Sequence, residues 1–336
     1  MTLQNKYVFG NLLMAYEWQM LQEHLQSCVN MLSGIDNKEN VTFHYCINFQ
    51  EYLETYENPV EINGYICEAM QQFEKAIFPA KLILEWKVGQ TRRIANGEIS
   101  EFYNIARYRR DLCWNWCEKV DFVCFSESDS LWPKQTLEVI DSVHGMVKDH
   151  TPKYVLSFAY RLNWDKSWAP TVHPLFQNIQ FQDNDDWTLN NEASEKSYMT
   201  LDRMNEINDI DLHDVEIDTL QEPKADGSCL VITSELLKSG VVIPHSILHC
   251  AEDESLLRSA KMVMGNNFVQ FIVRNVLRVH NRRHPNKRSG IVGEDNPRGF
   301  CDSRKGDWWT KLENSSKFNL ENLRTQQRFN KIEDVI

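Results

Sequence analysis

"ARYRRDLCWNWCEKVDFVCFSESDSLWPKQTLEVI", residues 106–140, decides how this chain is read. Its centre, Phe122 to Phe125, is an unbroken apolar run, as expected of a strand covered on both faces. The run stops at two carboxylates, Glu127 and Asp129, with Ser128 between them. Alternate residues of extended chain point the same way, so both acids address one side. Carboxylates so placed repel each other unless a cation lies between them. Hard divalent ions such as Mg²⁺ or Mn²⁺ take oxygen ligands in this manner. The plainer reading is a solvated acidic turn ahead of a helix that has Pro133 in its first turn.

The flanks give the acids their setting. Upstream, "YVFGNLLMAY" (7–16), "NVTFHYCINF" (40–49) and "AKLILEW" (80–86) read as strands. "LQEHLQSCVNMLSGI" (21–35) has helical spacing and a closing glycine, and "EISEFYNIARYRRDLCWNWCEK" (98–119) is also helical. Downstream, "PKQTLEVIDSVHGMV" (133–147) predicts a helix and "KYVLSFAY" (153–160) a strand. Strands alternating with helices predict an α/β fold with a mostly parallel sheet flanked by helices. Ligands of such sheets lie beyond the carboxyl ends of the strands, where Glu127 and Asp129 fall. From 163 to 226 the chain is rich in Asn, Asp and Trp without a sustained period, which predicts an irregular insertion. Regularity returns with "GSCLVITSELLKSG" (227–240), a strand and short helix, and "AEDESLLRSAKMVMG" (251–265), a helix. "FVQFIVRNVLRVH" (268–280) reads as one or two strands or a strand and a turn. The expected organisation is 1–162, an insertion at 163–226, a second half at 227–280, and a peripheral extension at 281–336, first basic and then polar.

The 106–140 stretch resembles the core of the family-2-like nucleotide-sugar glycosyltransferases of GT-A fold. In that family an apolar strand ends in an Asp-x-Asp followed by a proline and a helix; here the first acid is Glu127. The resemblance implies Asp129 as direct metal ligand, Glu127 beside it or bonded through water, and Mn²⁺ or Mg²⁺ neutralising the donor diphosphate. It places Arg107 and Arg109 near the nucleotide, although each fits a charged helix face equally well. Tyr16, at the end of the first strand, is left as a stacking platform for the base, and Asn48 ends the second strand. "HCAEDESLLRSAKMVMG" matches the family's Glu-Asp helix opening and points to Asp253 as general base of an inverting reaction. Acids in a first helical turn also simply stabilise the helix. Asp226 and Gly227 would border the acceptor and donor sugar. His280 is the candidate third metal ligand, with His284 as the alternative.

Composition bounds the partners. The 336 residues carry a formal charge of -12, which argues against general affinity for nucleic acid or anionic membranes. No run of about 18 apolar residues would span a bilayer, and the start has no signal-peptide order. Nine scattered cysteines suggest reduced thiols and a cytoplasmic protein, and Cys113 with Cys117 suits core packing better than zinc. Residues 274–305 hold nine basic and three acidic side chains, with Trp308 and Trp309 just beyond. That segment would close over the donor diphosphate or contact a polyanion. The expected function is therefore transfer of a sugar from a nucleotide-sugar donor, UDP-linked favoured, to an acceptor hydroxyl. The acceptor is either a glycan or hydroxymethylcytosine in phage DNA, the latter through residues 274–305. Competing readings are a non-catalytic module that keeps the fold and a metal-dependent phosphoryl-transfer enzyme.

Overall fold

The computed structural model describes residues 1–49, 56–88, 103–161, 166–177, 198–220, 222–224, 226–247, 251–281, 284 and 307–325. The sequence expectation of an α/β fold is met. A central sheet of eight strands carries helices on both faces. In chain order its strands are β1 (Tyr7–Met14), β2 (Val41–Phe49), β3 (Lys81–Val88), β4 (Phe122–Ser126), β6 (Tyr154–Ala159), β7 (Ile217–Thr219), β8 (Cys229–Thr233) and β9 (Val269–Leu277). The spatial order is β3-β2-β1-β4-β8-β6-β9-β7. Strands β3, β2, β1 and β4 run parallel, β8 runs against both β4 and β6, and β9 is parallel to β6. A separate two-stranded ladder joins β5 (Ser130–Leu131) to β10 (Val279–His280).

Every residue of β4 is buried, which is what its apolar run requires. One face of the sheet is covered by α1 (Leu21–Met31), α2 (Pro59–Ile77) and α4 (Thr136–Val147). The other is covered by α3 (Ile105–Trp116), α6 (Ser234–Lys238), α7 (Glu252–Met264) and α8 (Asp307–Thr325). A short helix, α5 (Leu201–Ile207), packs with Leu131, Leu277 and Val279 in a third cluster. Helix α2 buries Ile62, Ile66, Met70, Phe73 and Ile77 along one stripe. Each such side chain contributes roughly 1.5–3 kcal/mol on burial. That far outweighs the roughly 1 kcal/mol that Gly64 costs mid-helix. Gly10 lets α3 close onto β1, since a Cβ there would lie 2.1 Å from Leu112.

Two expectations change. The 163–226 stretch is not wholly irregular, because β7 within it pairs antiparallel with β9 and forms the sheet's edge. Three residues are too few to leave a periodic signal, and their faces are mostly exposed. The C-terminal extension is not simply peripheral either: α8 places Leu320 in the core beside α7, with Leu323 packed against it. Among the described residues, no helix is long and apolar enough to cross a membrane. Seven described cysteines are free thiols, and Cys113 and Cys117 lie on and just after α3.

Candidate active site

The acids at the end of β4 are surrounded by residues that the sheet delivers from far along the chain. Because β8 runs antiparallel to β4 with Ser126 opposite Cys229, the residues before β8 lie beside Glu127. These are Asp226, Gly227 and Ser228. The β5–β10 ladder sets His280 opposite Ser130, one residue past Asp129, and the Asn281 N–H continues the ladder to the Asp129 carbonyl at 2.6 Å. His280 Nε2 then lies 3.1 Å from Glu127 Oε2 and 3.4 Å from Asp129 Oδ2, while its Nδ1 is 3.2 Å from Asp226 Oδ2. One ligand atom from each of Glu127, Asp129 and His280 falls within 4.8 Å of the others. The donor set is two carboxylate oxygens and one imidazole nitrogen. Mn²⁺ accepts that mixture readily, and Mg²⁺ takes its oxygen part.

Arg109 holds the back of this cluster. It projects from α3 with 1% of its surface exposed, across the face of Phe125. One guanidinium nitrogen donates to Glu252, and the other donates to Glu127 Oε1 at 2.7 Å and to the Gly227 carbonyl at 2.6 Å. A Cβ on Gly227 would lie 1.8 Å from Arg109 Nη1, so only glycine admits this packing. Burial works against the guanidinium, but Glu252, Glu127 and Asp253 more than offset it and keep the charge in place. A second buried cation, Arg278, stacks on Tyr160 at 3.9 Å, pairs with Asp226 at 3.0 Å and donates to the Ser228 hydroxyl.

The charges do not balance. Five carboxylates (Glu127, Asp129, Asp226, Glu252 and Asp253) face two guanidiniums and one imidazole. Burial raises the Glu127 carboxyl, but His280 and Arg109 prevail and hold it below its ordinary value. Asp226 is likewise held well below, by Arg278 and His280 against burial. Burial lowers His280, yet Asp129 and Asp226 overcome it and drive the imidazole well above its ordinary value. Burial and then Asp253 push the Glu252 carboxyl up to about 8 against the pull of Arg109. Burial also pushes Asp253 up, to about 6, with Arg109 opposing.

Asp253 opens α7. Its Oδ2 accepts the Gly227 N–H at 2.8 Å, and its Oδ1 accepts the Glu254 N–H at 2.7 Å. The residue before the helix, Ala251, has φ 62° and ψ 25°. This left-handed turn costs a non-glycine residue about 1–2 kcal/mol. It aims the first turn of α7 back toward Arg109.

The structure thus gathers Glu127, Asp129, Asp226, Gly227, Asp253, His280 and Arg109 in one place. Arg107 stays on the exposed face of α3, over the Tyr103 ring at 5.5 Å. Tyr16 is buried in the core. Asn48 is buried at the end of β2, where its Nδ2 donates to the Tyr103 carbonyl at 3.2 Å and its Oδ1 meets no donor among the described residues. His284 turns to the Tyr198 ring, at 4.5 Å. Of the nine basic residues in 274–305, Arg274 and Arg278 are described, and Arg274 pairs with Asp218 and the Pro170 carbonyl. The other seven, and the side chains of Trp308 and Trp309, lie outside the described residues.

Sequence reasoning missed Glu252 and His24. Glu252 was adjacent to a chosen residue, and its pairing with an arginine on another helix could not be seen from spacing. His24 Nδ1 donates to the Ser130 carbonyl at 2.6 Å. Its Nε2 therefore accepts, from Tyr45 Oη at 2.8 Å and Asn11 Nδ2 at 3.1 Å. Burial lowers this imidazole to about 4, so it is neutral.

No family model matches the chain, and no curated protein matches it. Among solved structures it is similar to S. aureus TarS 1-349 in complex with UDP, with TM-score 0.44, 11% identity, and 98% of this chain and 77% of that chain covered. The complex of TarS 1-349 with UDP-GlcNAc gives TM-score 0.42 and 12% identity over the same shares. Against S. aureus TarS the match has TM-score 0.42 and 11% identity, and spans 80% of this chain but 36% of that one.

Proposed function

We propose that the protein is a divalent-metal-dependent glycosyltransferase that moves a sugar from a nucleotide-sugar donor to an acceptor hydroxyl with inversion. The observation that carries this is the convergence of Glu127, Asp129 and His280 at the carboxyl end of β4, in a cluster with surplus negative charge. These three residues would hold the cation. The chemistry such a cation would supply is neutralisation of a donor diphosphate and Lewis-acid stabilisation of the departing nucleoside diphosphate.

The chain's own residues supply the rest. Arg109 fixes Glu127 from behind, so that carboxylate presents its second oxygen, Oε2, to the site. Asp253 takes the acceptor's proton as the hydroxyl attacks the anomeric carbon. A base near 6 is well matched to a reaction close to neutral pH, and a carboxylate with one N–H on each oxygen retains lone pairs for that proton. Asp226 and Gly227 border the space between base and metal ligands. We favour a UDP-linked donor and a saccharide acceptor. A DNA acceptor draws no support from Arg274 and Arg278, whose charges are met by Asp218 and Asp226.

The test is thermal shift with UDP and GDP, each with and without Mn²⁺, followed by labelled donor sugars against glycan and modified-DNA acceptors. Stabilisation by UDP that requires Mn²⁺ is expected. Absence of any nucleotide response would replace this reading with a non-catalytic module. Cleavage of a DNA strand without sugar transfer would replace it with phosphoryl transfer.

A further inference from the structure

The proposed chemistry leaves Ser128 without a part, although it lies between the two carboxylate ligands and is fully buried. Its hydroxyl donates to the Glu17 carboxylate. Glu17 belongs to the 3-10 turn Ala15–Met20 that follows β1, and it too is buried. A carboxylate at that depth is costly unless donors meet it, so its placement is not explained by packing. A hydrogen bond to a charged acceptor is about twice as strong as a neutral one and more demanding in geometry. Main-chain anchors hold the rest of the motif. His24 takes the Ser130 carbonyl, Asn281 takes the Asp129 carbonyl, and Ser130 Oγ donates to the Glu127 carbonyl. Ser128 is gripped by its side chain instead. The torsions of the chain at this residue set the directions in which Glu127 and Asp129 leave the backbone.

We propose that Glu17 is a positioning residue for the metal site, acting through the Ser128 hydroxyl to fix the angle between the Glu127 and Asp129 carboxylates. The inference rests on the metal reading above. Partners that orient metal ligands in this way are worth about 10–100-fold in metal affinity.

The experiment titrates Mn²⁺ into the full chain and follows free Mn²⁺ by electron paramagnetic resonance, with metal-free melting temperatures recorded alongside. Glu17→Ala is expected to bind Mn²⁺ at least about tenfold more weakly than the wild type. Glu17→Gln keeps an oxygen that accepts from Ser128, and should stay within about threefold. Ser128→Ala cuts the same bond from the other side and should match Glu17→Ala, which keeps the test decisive if that variant does not fold. Wild-type affinity in a folded Glu17→Ala or Ser128→Ala overturns the assignment, as does Glu17→Gln binding as weakly as Glu17→Ala. A lower melting temperature with unchanged affinity would mean a merely structural carboxylate, and also overturns it. If the wild type itself binds no Mn²⁺, the metal reading falls and this inference with it. Wild-type binding with unaffected variants removes only the role of Glu17.

Discussion

Replacing Arg109 by methionine removes the cation around which Glu127, Glu252 and the Gly227 carbonyl are arranged, while keeping a side chain of similar length. The guanidinium is 1% exposed, so water cannot take its place. Breaking a buried ion pair from one side costs about 3–5 kcal/mol. Unfolding entropy of about 2.1 cal/mol/K per residue amounts to roughly 0.7 kcal/mol/K for a chain of this length, so the melting temperature should fall by about 4–7 °C. Scanning calorimetry on the metal-free protein reads this directly. A second variant separates lost charge pairing from lost packing. Glu127→Gln in the Arg109→Met background removes the ionised carboxylate that the guanidinium had neutralised, and should recover about 1 kcal/mol or more. An Arg109→Met protein that melts within about 1 °C of the wild type would refute the reasoning. So would strict additivity of the two substitutions.

Gly227→Ala forces a methyl group into the Arg109 guanidinium, and should destabilise by about 1–3 kcal/mol in urea unfolding while also weakening Mn²⁺ binding. His24 gives a pH dependence. Burial holds its folded value near 4, below its ordinary 6.5, so the folded state binds fewer protons between those limits. Stability is therefore full above 6.5 and declines as the pH falls toward 4, by about 3 kcal/mol from this residue. His24→Gln should show a shallower decline over that window in urea titrations at pH 7 and pH 4.5. Asp253→Ala should abolish sugar transfer yet leave Mn²⁺-dependent nucleotide binding nearly intact, since a base acts mainly in the transition state. Leu320→Ala should cost about 2–4 kcal/mol in the same unfolding assay if α8 is part of the core.

What the sequence disclosed followed the length of the signal. Strands β1, β2, β4, β6 and β8 announced themselves as apolar runs, and α3, α4 and α7 as periodic stripes. Helix α2 is equally legible, as a stripe of Ile62, Ile66, Met70, Phe73 and Ile77. The β5–β10 ladder could not be read, because two residues per strand leave no period. Within the site, Glu127, Asp129 and Asp253 were legible as acids at element ends. Arg109 was placed near the nucleotide, but its role as the hub of three internal contacts depends on α3, α7 and β8 meeting in space. Glu17 carried no mark at all: a single acid after a strand looks like any surface residue until Ser128 is seen beside it.

The pairing of Ser130–Leu131 with Val279–His280 has a consequence for biosynthesis. These partners are separated by about 150 positions, and a ribosome adding about 5–20 residues per second needs roughly 7–30 s to travel between them. During that interval the nascent polypeptide displays its acidic loop without the imidazole that completes the triad. Under the proposed metal reading, the triad of Glu127, Asp129 and His280 is complete only once translation has passed residue 280, and a product released earlier would lack the imidazole.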